Sequence, residues 1–386
     1  MSHISKRAQT IQPFHVMKLL ARARELEAQG KSIIHMEVGE PDFNTPQPVI
    51  DAGTAAIQSG AVHYTPATGL PALRHAISKY YLQQFKVNVS PERIIITPGA
   101  SGALMLALSA IIEAGDGVIL TDPGYPCNRN FVTLLEGIPQ LLNVDASTQF
   151  QLTAELLEKN WQQNTTAVLL ASPSNPTGTT LNEQMLNEII QFANKKNASV
   201  IVDEIYQGLV YDTQPHTALS LSENVFVINS FSKYFTMTGW RVGWMVVPEN
   251  TVSVIDNIAQ NIFLAAPTPA QHAALASFEP ETIQILEQRR QEFKSRRDYL
   301  LEALPKLGFT IPVKPEGAFY IYANCEALTD NSFEFVERCL EDVGVAMTPG
   351  IDFGDNQAEK YIRVAYTTSL DNLKEAVKRL QQLLIK

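Results

Sequence analysis

Cysteine is scarce in this chain. Only three occur in 386 residues (Cys127, Cys325 and Cys339), and they stand too far apart for a CxxC or Cys/His metal spacing. That argues against a disulfide framework and a zinc site, and it fits a reducing cytoplasm. Long apolar runs are missing as well. No stretch reaches the roughly 18 residues that a membrane span requires, and residues 1–7 lack the apolar core of a secretory signal. N-x-[ST] matches such as those at Asn88 and Asn164 are therefore read as chance. Positive charge is in deficit: 30 Lys and Arg against 40 Asp and Glu leave a net charge of −10. Such a surface repels phosphate backbones, which argues against nucleic acid as a partner. Internal repeats and low-complexity segments are absent too.

What remains is ordinary globular material, 45% hydrophobic and 18% charged, in a chain long enough for two or three domains. One stretch stands out, Asn229-Ser230-Phe231-Ser232-Lys233, running on to Arg241. Residues 226–228 read as a buried strand, and the apolar pattern resumes over 242–247. A lysine on the loop between two core strands is partly desolvated, which disfavours its charged form and lowers its pKa. That is what an amine needs to attack a carbonyl and form a Schiff base. Ser230 and Arg241 are natural phosphate partners beside it. Nucleophilic lysine and phosphate donors together suggest pyridoxal phosphate. Taken alone, such a lysine is usually just a surface solubiliser, so the rest of the chain has to decide.

Several other loops repeat the arrangement. Val16, Leu19, Leu20, Ala23 and Leu26 have helical spacing before Gly30, and a strand over 33–38 enters the turn at Gly39. A helix is expected over 48–58, and Tyr64 lies in a polar loop ahead of the helix that begins near Pro71. Strand 93–97 passes through Pro98-Gly99-Ala100-Ser101 into a helix over 103–112, a way to aim unpaired N–H groups at a phosphate. It matches neither Walker A nor GxGxxG. Strand 117–120 leads to Tyr125, which can stack on a planar ring or simply fill a core edge. Strand 166–171 ends in the proline-bounded loop that presents Asn175, helix 186–195 follows, and strand 199–202 ends at Asp203-Glu204-Ile205-Tyr206.

Strands alternating with helices in this way predict a parallel, doubly wound sheet, whose ligands sit at the strands' carboxyl ends. Asn175, Asp203 and Lys233 all fall at that edge. Beyond Pro267 the pattern changes. A long helix over 281–304, strands over 318–322 and 361–365, and a last helix from Ser369 predict a smaller α+β unit, joined by the N-terminal helix.

In order and spacing these motifs resemble the fold-type I pyridoxal-phosphate enzymes, specifically the class I/II aminotransferases of the aspartate aminotransferase-like branch. The likeness runs from Gly39 to Arg363. Ser230-x-x-Lys233 with Arg241 is its most specific block, backed by Asn175-Pro176-Thr177-Gly178 and Asp203-Glu204-x-Tyr206. The resemblance implies an α/β fold with a mostly parallel seven-stranded sheet in a large domain over 45–280. Residues 1–44 and 281–386 would then form a small α+β domain. It implies Lys233 as the Schiff-base and proton-moving residue, Asp203 on the pyridine nitrogen, Tyr206 and Asn175 on the ring's 3-oxygen, and Tyr125 stacked on the ring. Ser230, Arg241 and the N–H groups of Ala100 and Ser101 would hold the phosphate. Arg363, with Asn175 and the backbone of Gly39, would take the substrate's α-carboxylate. Tyr64 matches a residue that reaches the neighbouring subunit's phosphate, which implies a homodimer.

The implied activity is transfer of an amino group from an L-amino acid to a 2-oxo acid, 2-oxoglutarate or pyruvate, by a ping-pong mechanism. A C–S β-lyase or an aminocyclopropane-carboxylate-synthase-like enzyme on the same scaffold is the alternative. A regulatory domain that keeps the cofactor without turnover is a third. Such regulators usually carry a DNA-binding module in front, and about 30 residues before the Gly39 motif are too few for one. One departure bears on specificity. Some bacterial aspartate aminotransferases have a lysine where this chain has Ser101, so a neutral or aromatic donor is as well supported as a dicarboxylic one. Arg22, Arg24 and Arg129 could replace that lysine, though they read better as solvated charges.

Overall fold

The apolar runs become strands. A computed structural model describes residues 4–11 and 13–384, so the first three residues of the segment screened for a signal lie outside it. In chain order its strands are β1 (Ile34–His35), β2 (Ile94–Thr97), β3 (Gly117–Asp122), β4 (Ile138–Asn143), β5 (Thr165–Ala171) and β6 (Ser199–Asp203). They continue with β7 (Val225–Ser230), β8 (Gly243–Val246), β9 (Tyr320–Asn324), β10 (Val345–Ala346), β11 (Thr348–Pro349) and β12 (Tyr361–Ala365).

Seven of them build one sheet in the order β2-β8-β7-β6-β5-β3-β4. Only β8 runs against its neighbours. The central strands are covered on both faces, so they read as unbroken apolar runs instead of alternating ones. One face packs against the helices Gly99–Ile111 and Val252–Ile262. The opposite face joins a larger core that includes the helices Pro71–Phe85 and Glu183–Lys195. The parallel strands all end at one edge, which is where β5, β6 and β7 deliver the loops carrying Asn175, Asp203 and Lys233.

A smaller antiparallel sheet, β11-β12-β9, lies beyond the 24-residue helix Pro280–Ala303. Two differences from the sequence reading have local causes. The strand expected over 33–38 shrinks to two residues paired with β10. Side chains take its later carbonyls instead of a ladder: Arg363 and Thr348 donate to Glu37 O, and Thr367 donates to Val38 O. The strand expected over 318–322 begins at Tyr320, because Ala318 adopts a left-handed backbone (φ 58°) that no strand accommodates. Strand β4 and the helix Ser332–Val343 went unread. The helix His15–Ala28 buries Leu19, Ala23 and Leu26, as their spacing predicts. Among the described residues no helix is long and apolar enough to cross a membrane.

Candidate active site

A cavity of about 300 Å³ opens at the carboxyl edge of the large sheet. Ten of the twelve residues singled out in the sequence line it: Gly39, Ala100, Ser101, Tyr125, Asn175, Asp203, Tyr206, Lys233, Arg241 and Arg363. Ser230 lies just beneath the wall. Its hydroxyl donates to Val242 O and contacts Ser232 Oγ at 2.9 Å, and Ser232 is the serine that reaches the cavity. Tyr64 is 83% exposed and is not among the lining residues.

Lys233 follows β7 on the loop that the sequence suggested. Its Nζ donates to Gly39 O at 2.6 Å. Desolvation in the wall lowers its pKa to about 8. Asp203 closes β6 and is 6% exposed, and its carboxylate accepts one hydrogen bond among the described residues, from the Ile205 N–H at 3.0 Å. Burial pushes its carboxyl up to about 6, against the pull of the Lys233 charge. A desolvated carboxylate with so little support is a site for a cation.

The anion end is built by backbone. The helix Gly99–Ile111 starts after Pro98 with no side-chain cap among the described residues, so its first N–H groups are open to a ligand. Gly99 holds φ 72°, and a Cβ there would sit 2.6 Å from Arg241 Nη2. The arginine thus lies against a cradle that only glycine leaves open. Arg241 is anchored by Nη1 donating to Thr238 O at 3.0 Å. Open N–H groups at a helix start and a guanidinium make a phosphate site.

Across the cavity stands Arg363 of β12, 5% exposed. Nη1 donates to Asn175 Oδ1 at 2.9 Å and Nη2 to Glu37 O at 2.5 Å. Its guanidinium lies between the rings of Tyr320 (4.4 Å) and Phe353 (4.8 Å). Nε is buried without a partner among the described residues. An arginine so held, with a donor to spare, is matched to a carboxylate.

Sequence reasoning missed Ser232, Tyr320 and Phe353, and it missed that Phe14, Val16, Met17 and Leu20 wall the cavity. Ser232 was legible in principle, being a second hydroxyl in the same short stretch. The N-terminal helix gave a fainter signal: Val16 and Leu20 lie off the line of Leu19, Ala23 and Leu26. Of the three spare arginines, Arg22 is occupied by Glu341 at 2.5 Å and by Glu25. Arg24 is exposed, and Arg129 is absent from the cavity's lining.

The chain has close relatives. Residues 31–380 match the family described as Aminotransferase class I and II. A (5-formylfuran-3-yl)methyl phosphate transaminase of Methanocaldococcus jannaschii is 39% identical over 386 residues, spanning 99% of this chain and 100% of that one. A valine–pyruvate aminotransferase of Mycobacterium tuberculosis is 34% identical over 96% of both chains. Among solved structures, an aspartate aminotransferase of Thermus thermophilus with maleate superposes with a TM-score of 0.93 at 30% identity, covering 99% of this chain and 100% of the other. With the large sheet, the lysine and the anion cradle in place, the chain belongs to the class I and II aminotransferase family and is an aminotransferase that works with pyridoxal 5′-phosphate.

Proposed function

We propose that this aminotransferase moves the amino group of a neutral, apolar or aromatic L-amino acid to a 2-oxo acid, in two half-reactions at the one cavity. The observation that carries the reading is the meeting of Lys233, Asp203 and Arg363 around a single space. Each brings the unmet capacity described above: a lowered amine, a poorly supported buried carboxylate and a guanidinium with a free N–H.

Pyridoxal 5′-phosphate fits these groups. Ala100, Ser101, Arg241 and the serine pair Ser230 and Ser232 would hold its phosphate, Asp203 its ring nitrogen, Tyr206 and Asn175 its 3-oxygen, and Tyr125 its ring face. Bound there, the cofactor supplies the electron sink that makes loss of a Cα proton feasible. The chain does the rest. Asp203, kept ionised by a cationic partner, keeps that partner charged in turn. Arg363 grips the α-carboxylate through paired N–H donors and, with Asn175, fixes which bond faces the lysine. Lys233 would hold the cofactor's aldehyde carbon through its Nζ. Its amine, whose charged form burial disfavours, would take the proton from the donor's Cα and return it elsewhere.

The donor class rests on the far wall. The cations lining the cavity are Lys233, Arg241 and Arg363, each with a role above, while Phe14, Val16, Met17 and Leu20 offer apolar surface. The valine–pyruvate relative points the same way. Met17, 56% exposed over the cavity, gains a partner when an apolar side chain enters. Exposed Tyr64 supports a homodimer in which it completes the neighbour's phosphate site. A division at residues 45 and 280, suggested by the two sheets, and a cytoplasmic location, suggested by three scattered cysteines, belong to the same proposal.

Borohydride reduction of the holoenzyme followed by peptide mapping tests the core of it: the modified lysine must be Lys233, and in Lys233→Ala reduction must fix no cofactor covalently to the protein. A screen of the twenty amino acids against pyruvate and 2-oxoglutarate tests the donor. Leucine-like or aromatic donors are expected to lead, and a clear preference for aspartate would overturn the donor class. Release of pyruvate and ammonia without an acceptor would move the enzyme to the lyases.

A further inference from the structure

Tyr320 has been given no role so far, yet it touches three groups that have one. It opens β9 opposite Ala365 of β12 and is 1% exposed. Its Oη lies 2.8 Å from Tyr206 Oη. Its ring carries the Arg363 guanidinium at 4.4 Å. A Cβ on Gly39 would fall 1.9 Å from the Tyr320 hydroxyl, so that hydroxyl lies against the very residue whose carbonyl receives Lys233. Phenylalanine would fill the same volume. The hydroxyl makes one hydrogen bond among the described residues, to Tyr206, and burying it costs free energy unless that bond is made.

Two hydroxyls sharing one hydrogen bond must agree on a direction. If Tyr206 donated to Tyr320, its proton would be used up and nothing would be left to offer the cavity. If Tyr320 donates, the Tyr206 O–H is free to point inward. The Arg363 charge over the Tyr320 ring favours Tyr320 as donor, because a nearby cation makes a phenol more acidic.

We propose that Tyr320 is a positioning residue: its hydroxyl donates to Tyr206 and thereby orients the Tyr206 O–H toward the cofactor's 3-oxygen, while its ring seats Arg363. The proposal rests on the roles given to Tyr206 and Arg363 above. It separates two contributions of one side chain, the hydroxyl acting on the cofactor and the ring acting on the substrate carboxylate.

The test uses four holoenzyme variants: Tyr320→Phe, Tyr320→Leu, Tyr206→Phe and the double Tyr206→Phe/Tyr320→Phe. The readouts are kcat and KM for the best donor, the titration midpoint of the lysine-bound cofactor's visible band, and inhibition by 4-methylpentanoate, a carboxylate lacking an amine. Tyr320→Phe keeps the ring, so it should leave carboxylate inhibition within about twofold, lower kcat by about fivefold and shift the midpoint by about half a unit. Tyr320→Leu should in addition weaken carboxylate binding about fivefold. In the Tyr206→Phe background, Tyr320→Phe should move the midpoint no further.

A Tyr320→Phe enzyme with wild-type kcat and midpoint overturns the proposal. So does an undiminished Tyr320→Phe effect in the double variant, which would mean that the two tyrosines act independently. Should Tyr320→Leu fail to fold, the conservative variant and the double-mutant comparison still decide. Borohydride labelling keeps the two levels apart: label on Lys233 with a silent Tyr320→Phe sinks only this inference, whereas label elsewhere sinks the site assignment itself.

Discussion

The two walls of the cavity are held in different ways. On the large-sheet side the polar groups sit near strand ends, and nearby main chain fixes Asp203, through the Ile205 N–H, and the anion cradle, at the start of its own helix. On the small-sheet side Arg363 lies mid-strand and depends on distant segments. Asn175, the Glu37 carbonyl, Thr348, Tyr320 and Phe353 all hold it. Changes on the first wall should therefore remove chemistry and leave the fold alone. Changes on the second should disturb alignment, and with it substrate binding.

The sharpest way to break that contrast is Asp203→Asn. Loss of a preorganised charge beside the cofactor should lower kcat/KM by roughly a thousandfold. Stability should move the other way. The folded chain holds this proton more tightly than the unfolded one, with a pKa of about 6 against 3.8. In the cofactor-free protein Asp203 thus opposes folding, fully above about pH 6 and progressively less as pH falls toward 4. The neutral amide removes that opposition, so the cofactor-free variant should melt a few degrees higher than wild type at pH 7.5 and about equally at pH 4. Calorimetry on both proteins checks it. A lower melting point at pH 7.5 would mean that the carboxylate stabilises the fold.

Arg363→Lys probes the opposite wall. A lysine keeps the charge but loses the paired donors and the planar fit between Tyr320 and Phe353. KM for the donor should rise about a hundredfold, with cofactor binding unchanged by spectral titration. Weakened cofactor binding would mean that the second wall serves the cofactor as much as the substrate.

The same contrast explains what could be read from the sequence. Lys233, Asp203 and Asn175 were visible because polar residues just beyond apolar strands are conspicuous, and a parallel sheet sends all such positions to one edge. The doubly wound sheet itself was legible from the alternation of strands and helices. The seven-strand count and the roles of Arg363 and Tyr206 came through the family resemblance, because nothing local marks them. Tyr125, by contrast, was noticed as an aromatic just beyond a strand, and only its choice between ring and core edge needed the resemblance. Strand β4, with its alternating exposure at the sheet edge, and the helix Ser332–Val343 were passed over. Tyr320 and Phe353 carry no local sign either: in sequence each is one more apolar residue, and only pairing across β9, β11 and β12 brings them to the guanidinium. Met17 and Leu20 share a helix with core residues, and their second face acquires meaning only once a cavity lies beneath it.

The cradle on the first wall is where Gly99→Ala should have an intermediate effect. The new methyl would meet Arg241 Nη2 at 2.6 Å, and the backbone would be held at a positive φ that alanine resists. With a cost of the size usual for such strain, cofactor affinity should fall about tenfold or somewhat more. Equilibrium dialysis against pyridoxal 5′-phosphate reads it. Because the cradle belongs to the main-chain-held wall, KM for the donor in the saturated enzyme should stay within about twofold, and a larger rise would blur the distinction between the walls.

The smallest expected effect lies behind the second wall. His35 bridges Glu37 (2.7 Å) and Glu27 (3.1 Å), and the carbonyl of Glu37 is one of the acceptors that hold Arg363. The hydrogen bond to buried Glu37 is the main cause that raises the His35 pKa to about 9, above the ordinary 6.5. A raised histidine pKa means that the protonated ring stabilises the fold, fully below about pH 6.5 and no longer once pH has risen through about 9. His35→Gln should therefore lower the melting temperature by about 2 °C at pH 6 and leave little difference from wild type at pH 10. Taking each variant against wild type at the same pH cancels the other groups that titrate over that range. The wall's dependence on remote contacts predicts a companion effect, a rise in donor KM of less than about twofold at pH 6, since the Glu37 backbone stays in place while its side chain loses a partner. A stability loss that is the same at both pH values would show that the ring acts by packing alone, and the second wall would then owe nothing to this charge.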